Sequence, residues 1–167
     1  MTRVGILADT HGSLLPRVFS FFEDCDMICH AGDIGNLQTL DLLNQFKPLK
    51  VVFGNIDGHE IRLQCKEVEI FNIEKVKVAM IHIGGYPDRY SPQALDIIRR
   101  HKPDMFITGH SHILRILNDQ KHHLLYINPR AAGKSGFHQV ITCIKLEIDG
   151  DRTINAQVLE LERDKVI

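Results

Sequence analysis

A chain of 167 residues, 44% apolar and 25% charged, has the size and composition of one globular domain with a proper core, and residues 1–167 are read as a single domain. Its formal charge of −1 supplies no general basic field, so non-specific binding of long nucleic acids is disfavoured. No run of about 18 apolar residues and no basic-apolar-small leader is present, so neither membrane insertion nor export is expected. The cysteines, Cys25, Cys29, Cys65 and Cys143, are scattered through a chain with ample core, which suits buried reduced thiols and a cytoplasmic location better than a disulfide framework.

Arg3 to Ala8 is a continuous apolar run closed by Asp9-Thr10-His11-Gly12, the pattern of a strand buried on both faces. If the chain stays extended there, Asp9 and His11 point to one side, as a shared metal ion requires. Ser13 is the expected helix N-cap, with Pro16 in the first turn and Leu14, Leu15, Val18, Phe19 and Phe22 at helical spacing. A second strand over 26–31 ends in His30-Ala31-Gly32-Asp33. A second amphipathic helix over 37–46 closes near Pro48, and a third strand over 50–53 runs into Gly54-Asn55-Ile56-Asp57-Gly58. This alternation predicts parallel βαβ units, with any site at the carboxyl ends of the strands. Strands follow over 67–73 and 76–81, the latter ending in His82-Ile83-Gly84-Gly85. A helix over 93–101 precedes a strand over 104–108, which leads to Gly109-His110-Ser111-His112. The remainder is strand-rich, over 113–118, 123–128, 138–148 and 153–161, with Asp149-Gly150 as a hairpin signal. A mixed α/β core with a later antiparallel portion fits two packed sheets with helices outside.

Ten histidines is an unusual number, and several stand at strand ends. Five such ends together offer Asp9, His11, Asp33, Asn55, His82, His110 and His112. Singly, each has a bland explanation: a turn asparagine after glycine, a core histidine, exposed loop histidines. All five ends would have to be bland independently, which is an improbable coincidence. A mixed oxygen and nitrogen set suits manganese, iron, zinc or nickel better than magnesium or calcium. It is too large for one tetrahedral ion and about right for two, with Asp33 the best candidate to bridge them. Gly12, Gly32, Gly54, Gly84 and Gly109 would let the backbone turn sharply beside the ions.

In this order, Asp9-x-His11, Gly32-Asp33, Gly54-Asn55, His82 and Gly109-His110-x-His112 resemble the motifs of the calcineurin-like metallophosphoesterases. The length and the early first motif resemble the small YfcE-like phosphodiesterases, to which the small retromer subunit is related as a catalytically degraded branch. The resemblance implies a four-layer α/β/β/α sandwich. It places one ion on Asp9, His11, Asp33 and His112, and the other on Asp33, Asn55, His82 and His110. It makes Asp33, Asn55 and His110 central to catalysis and implies attack on phosphorus by a hydroxide bridging the ions, with no covalent enzyme intermediate. Two divalent cations, foremost Mn2+, are the implied cofactors, a small phosphodiester the implied substrate, and a homodimer the common state of the branch.

Two departures from the family pattern concern the leaving group. Ile56 stands where many relatives carry histidine, and His82-Ile83-Gly84 lacks the second imidazole of a His-Gly-His block. His59 is either a replacement imidazole or an exposed loop histidine. The run Asn128 to Lys134 resembles an Asn-Pro-Gly-Ser loop with Arg130-Ala131 in place of Gly-Ser. Arg130 is either a planar clamp for phosphate or a solvated loop residue. His30 is expected to pack or to support its neighbours rather than bind metal. The expected function is phosphodiester hydrolysis. Phosphomonoester or nucleotide hydrolysis on the same centre is the alternative, and a non-catalytic retromer-like scaffold is disfavoured because all seven ligand positions are filled.

Overall fold

A computed structural model of the chain describes residues 1–133 and 140–162. Lys134 and the first two positions of the strand expected over 138–148 lie outside the described residues. In chain order the elements are β1 (Thr2–Leu7), α1 (Pro16–Phe21), β2 (Met27–His30), α2 (Leu37–Phe46), β3 (Leu49–Val51) and α3 (His59–Gln64). There follow β4 (Val68–Ile73), β5 (Val76–Ile81), the short β6 (Gly85–Tyr86) and β7 (Arg89–Tyr90), and α4 (Pro92–His101). The chain continues with β8 (Met105–Ile107), β9 (Arg115–Asp119), β10 (Leu124–Asn128), β11 (Val140–Asp149) and β12 (Arg152–Glu162).

Two five-stranded mixed sheets result, ordered β12-β11-β1-β2-β3 and β4-β5-β8-β10-β9. β1, β2 and β3 are mutually parallel, as are β5, β8 and β10, while β11, β12, β4 and β9 pair antiparallel. The inner core follows from alternation along the strands. Val4 and Ile6 of β1, Val78 and Met80 of β5, and Ile144 and Leu146 of β11 meet between the sheets. The opposite faces are covered by helices. Leu7, Ile28 and Cys143 pack against Val18 of α1 and Phe22 at its end, while Ala79, Ile81 and Phe106 pack against Ala94, Ile97 and Ile98 of α4. α2 and α3 share a smaller cluster through Leu40 and Ile61. The architecture is the four-layer α/β/β/α sandwich expected from the sequence. All four cysteines are buried and free, and burial pushes the Cys29 thiol up to about 12.

The structure corrects three local expectations. Ser13 does not cap the first helix: α1 begins at Pro16 with extended Leu15 before it, because a proline ring disfavours helical backbone in the preceding residue. Ser13 Oγ instead donates to the Thr10 carbonyl. The helix α3 was not anticipated, since its six residues are too few for a periodic signal. The third strand is shifted, ending at Val51 before an isolated bridge from Val52 to Lys66. α4 is capped by Ser91, whose Oγ accepts from the Ala94 N–H, with Pro92 in the first turn.

Gly5 shows how closely α1 sits on its sheet. A Cβ there would lie 2.7 Å from both Ile28 Cδ1 and Phe22 Cδ1, and both side chains are fully packed. Gly5→Ala is therefore expected to cost about 1–3 kcal/mol through overpacking, measurable by urea unfolding.

Candidate metal centre

The parallel strands finish level with one another. Leu7 pairs with His30, His30 with Val51, and on the other sheet Met80 pairs with Ile107. The loops that follow these strands therefore emerge at one edge of the sandwich, with Asp9, His11, Asp33 and Asn55 from one sheet facing His82, His110 and His112 from the other. The first loops continue to pair: Asp9 N–H donates to Gly32 O, His11 N–H to Asp33 O, and Gly12 N–H to Ile34 O.

The convergence of Asp9 and His11 is real, but its geometry is not that of an extended strand. β1 stops at Leu7, and both residues are left-handed, at φ 53° and 49°. Asp33, His110 and His112 also have positive φ, so five of the seven candidate residues are held in a conformation unfavourable to side chains. Such backbone costs on the order of 1–3 kcal/mol per residue and persists where surrounding structure enforces it, typically at functional sites. Two glycines serve close approach rather than open space. A Cβ on Gly54 would lie 2.1 Å from Asp33 Oδ1, and one on Gly32 would lie 2.7 Å from His82 Nδ1.

Each carboxylate has one oxygen tied to backbone and one aimed at imidazoles. Asp9 Oδ2 accepts from the His110 N–H, a bond between the two sheets, while Oδ1 lies 3.8, 3.7 and 3.4 Å from Nε2 of His11, His82 and His112. Asp33 Oδ1 accepts from the Ile56 N–H, while Oδ2 lies 3.1 Å from His82 Nε2 and 3.7 Å from His11 Nε2. Asp9, His11 and His112 form one group able to hold an ion, and Asp33, His82 and His110 another. Asn55, which is exposed, places Oδ1 3.0 Å from His110 Nδ1. The structure thus brings together all seven expected residues.

The atoms that meet are chemically suited to a cation. His82 Nδ1 faces the Ala31 carbonyl oxygen at 2.7 Å; a carbonyl only accepts, so Nδ1 carries the proton and Nε2 presents its lone pair to the carboxylates. Asp9 Oδ1, His11 Nε2 and His82 Nε2 are buried with no aligned hydrogen-bond partner. Buried acceptors facing one another are costly unless a positive charge lies between them. The histidines respond accordingly. His11 is raised above its ordinary value by the Asp9 carboxylate beside it and the charge of Asp33, against burial. Burial opposes charge on His82, but Asp33 and Asp9 outweigh it and its pKa is also raised. Burial works against both carboxylates too, yet contacts with His11 and His112 hold Asp9 well below the usual carboxylate range, and His82 lowers Asp33. Divalent ions would satisfy the same atoms.

The structure separates the remaining candidates. His59 is exposed at the start of α3 and belongs to neither group, lining a separate depression with Gly35 and Asn36. Arg130 stands beside the 109–112 loop, where its Nε donates to the His112 carbonyl at 3.3 Å.

Supporting residues escaped the sequence reading. Asp57 is buried, and its carboxylate accepts from the N–H groups of Ile34, Gly35 and Gly54, tying the Asp33 loop to the Asn55 loop. Asn128 Nδ2 donates to Gly109 O and to Ser111 Oγ, fixing the loop of His110 and His112. His30 takes the supporting place expected of it. Its Nδ1 accepts from the Gly32 N–H, which leaves Nε2 to donate to Thr10 Oγ1, whose hydroxyl donates to Ile34 O.

Burial drives His30 down to about 4 from 6.5. An imidazole held neutral in the fold gains a proton first in the unfolded chain, so its stabilisation is present above pH 6.5 and lost as pH falls towards 4. The loss attributable to His30 is about 3 kcal/mol. Urea unfolding at pH 7 and pH 4.5 should show it, and His30→Gln, which keeps a donor for Thr10, should remove that component.

The two facing mixed sheets, with acidic and imidazole side chains meeting at their common edge, define a protein of the metallo-dependent phosphatase fold. Residues 2–151 match the model of the calcineurin-like phosphoesterase superfamily domain, and the chain belongs to that superfamily. A probable metallophosphoesterase of Methanothermobacter thermautotrophicus is 29% identical over 163 residues, covering 93% of this chain and 91% of that protein. A second, from Methanocaldococcus jannaschii, is 30% identical over 132 residues, covering 75% and 66%. Among solved structures, Vps29 of Entamoeba histolytica complexed with zinc superposes with TM-score 0.74 at 19% identity, over 96% of this chain and 99% of that one. A novel archaeal phosphodiesterase superposes with TM-score 0.72 at 20% identity, over 94% and 99%. Among the described residues no helix is long and apolar enough to cross a membrane.

Proposed function

We propose that the chain is a dimetal-dependent phosphodiesterase. The observation that carries this reading is the pair of histidine–carboxylate groups whose inner atoms, Asp9 Oδ1, His11 Nε2 and His82 Nε2, are buried and unpartnered. Asp9, His11 and His112 would hold one ion and His82, Asn55 and His110 the other, with Asp33 shared between them. Asp33 Oδ2 is suited to sharing because it lies near both His11 and His82. Two divalent ions there would supply an acidified water as nucleophile and charge to polarise the phosphoryl oxygens. The family and the zinc-complexed and phosphodiesterase neighbours support this reading. The mixed donor set favours Mn2+, with Fe, Zn and Ni as competitors. The four buried thiols suit a reducing compartment such as the cytoplasm.

The chain's own groups set the substrate preference. Ile56, not an imidazole, follows Asn55 and is 47% exposed, and His59 is apart from the cluster, so neither supplies a proton to a departing alkoxide. Diesters whose leaving group needs little protonation, such as aryl phosphodiesters, should therefore be preferred over alkyl monoesters. A metal-reconstituted assay across Mn, Fe, Zn and Ni against bis(p-nitrophenyl) phosphate and an alkyl phosphomonoester tests this. Faster turnover of the diester supports it; equal or faster turnover of the monoester points to a phosphomonoesterase on the same centre.

A further inference from the structure

A cavity of about 220 Å3 opens beside Asn55 and His82 and extends away from the cluster past Phe53, Arg62 and Ile83 to Glu67 and Gln93. One wall is flat and braced. The Arg62 guanidinium lies 4.6 Å from the centre of the Phe53 ring, while its Nε donates to Asp57 O at 2.6 Å and its Nη2 to Gly54 O at 3.3 Å. An arginine held by two carbonyls over an aromatic ring offers a planar stacking surface, not a swinging charge. Ile83 supplies an apolar surface 45% exposed to solvent. It is one of three exposed isoleucines, with Ile56 and Ile113, each following a cluster residue directly in the chain. At the rim Gln93 Nε2 donates to Glu67 Oε1 at 3.3 Å, and the negative Glu67 offsets the positive Arg62. The cavity thus has no net charge to attract a second phosphate. Its volume falls short of the roughly 300–1,000 Å3 that encloses a drug-sized ligand, so it has room for one ring and not for an oligonucleotide.

We infer that this cavity is a subsite for one uncharged, flat ester substituent of the phosphodiester, laid against the Phe53–Arg62 pair and Ile83 while the phosphate sits at Asn55 and His82. The inference rests on the phosphodiesterase reading and adds the substrate class. It is tested by calorimetric titration of the Mn2+-loaded full chain with phenylphosphonate and with methylphosphonate, which share the anionic head and differ in the substituent. Phenylphosphonate should bind about tenfold more tightly. Ile83→Ser, and separately Gln93→Trp, which places a ring into the cavity from its outer rim, should each reduce that ratio below threefold. In the wild-type chain loaded with diamagnetic Zn2+ the Ile83 methyl NMR signals should shift with phenylphosphonate and stay in place with methylphosphonate. A ratio near one in the wild type, a full ratio in both variants, or no binding of either phosphonate would overturn the subsite. The phosphodiesterase reading fails separately, if no metal supports diester hydrolysis while the phenyl preference persists.

Discussion

Asp33→Ala is expected to lower metal-dependent hydrolysis of bis(p-nitrophenyl) phosphate by on the order of 10³-fold, equivalent to about 4 kcal/mol of transition-state stabilisation. Among the described residues no other carboxylate lies as close to both His11 and His82. Asp33 Oδ2 lies 3.1 Å from His82 Nε2 and 3.7 Å from His11 Nε2, so its removal takes a charge from both groups at once. It also leaves the Ile56 N–H without its acceptor, loosening the segment that carries Asn55. His110→Ala should affect the second group and leave Asp9, His11 and His112 in place, so its loss of rate should be smaller. Full activity in both variants would exclude these residues from the chemistry.

Asp57→Ala should have the largest effect on stability among the supporting residues, costing about 4 kcal/mol in urea unfolding. Its carboxylate collects three backbone N–H groups, from Ile34 at 3.1 Å, Gly35 at 2.9 Å and Gly54 at 2.8 Å, and the side chain is only 3% exposed. Truncation strands those donors at the point where two cluster-bearing loops meet. Metal affinity should fall with it, because the position of Asp33 relative to Asn55 depends on that junction. A cost below 1 kcal/mol would show that water replaces the carboxylate and that the loops hold themselves.

The layered fold was legible because it rests on hydrophobic patterning. Val4 to Ala8 is a continuous apolar run, as a strand covered on both faces requires, and strands alternate with amphipathic helices, so the parallel order and the common strand-end edge followed. The seven-residue cluster was legible for a related reason: parallel strands of level register deliver their ends to one edge, and imidazoles and carboxylates at such ends are informative together. The conformation of those ends was not. Left-handed Asp9 and His11 reach the point that an extended strand end would also reach, and composition does not distinguish the two backbone routes. Asp57 was hidden because an aspartate flanked by glycine reads as a turn, and its three bonds join residues more than twenty positions away to its own loop. The cavity at Phe53 and Arg62 was hidden for the same reason, because it depends on the short helix α3 folding back over the loop.

The central claim is that Asp9, His11, Asp33, Asn55, His82, His110 and His112 hold two ions. Metal content per chain, determined by mass spectrometry after loading with Mn2+ and removal of excess, tests it most directly. Two equivalents in the wild-type chain, and at most one in Asp33→Ala, are predicted. Retention of none by the wild type, or of two by Asp33→Ala, would contradict the account.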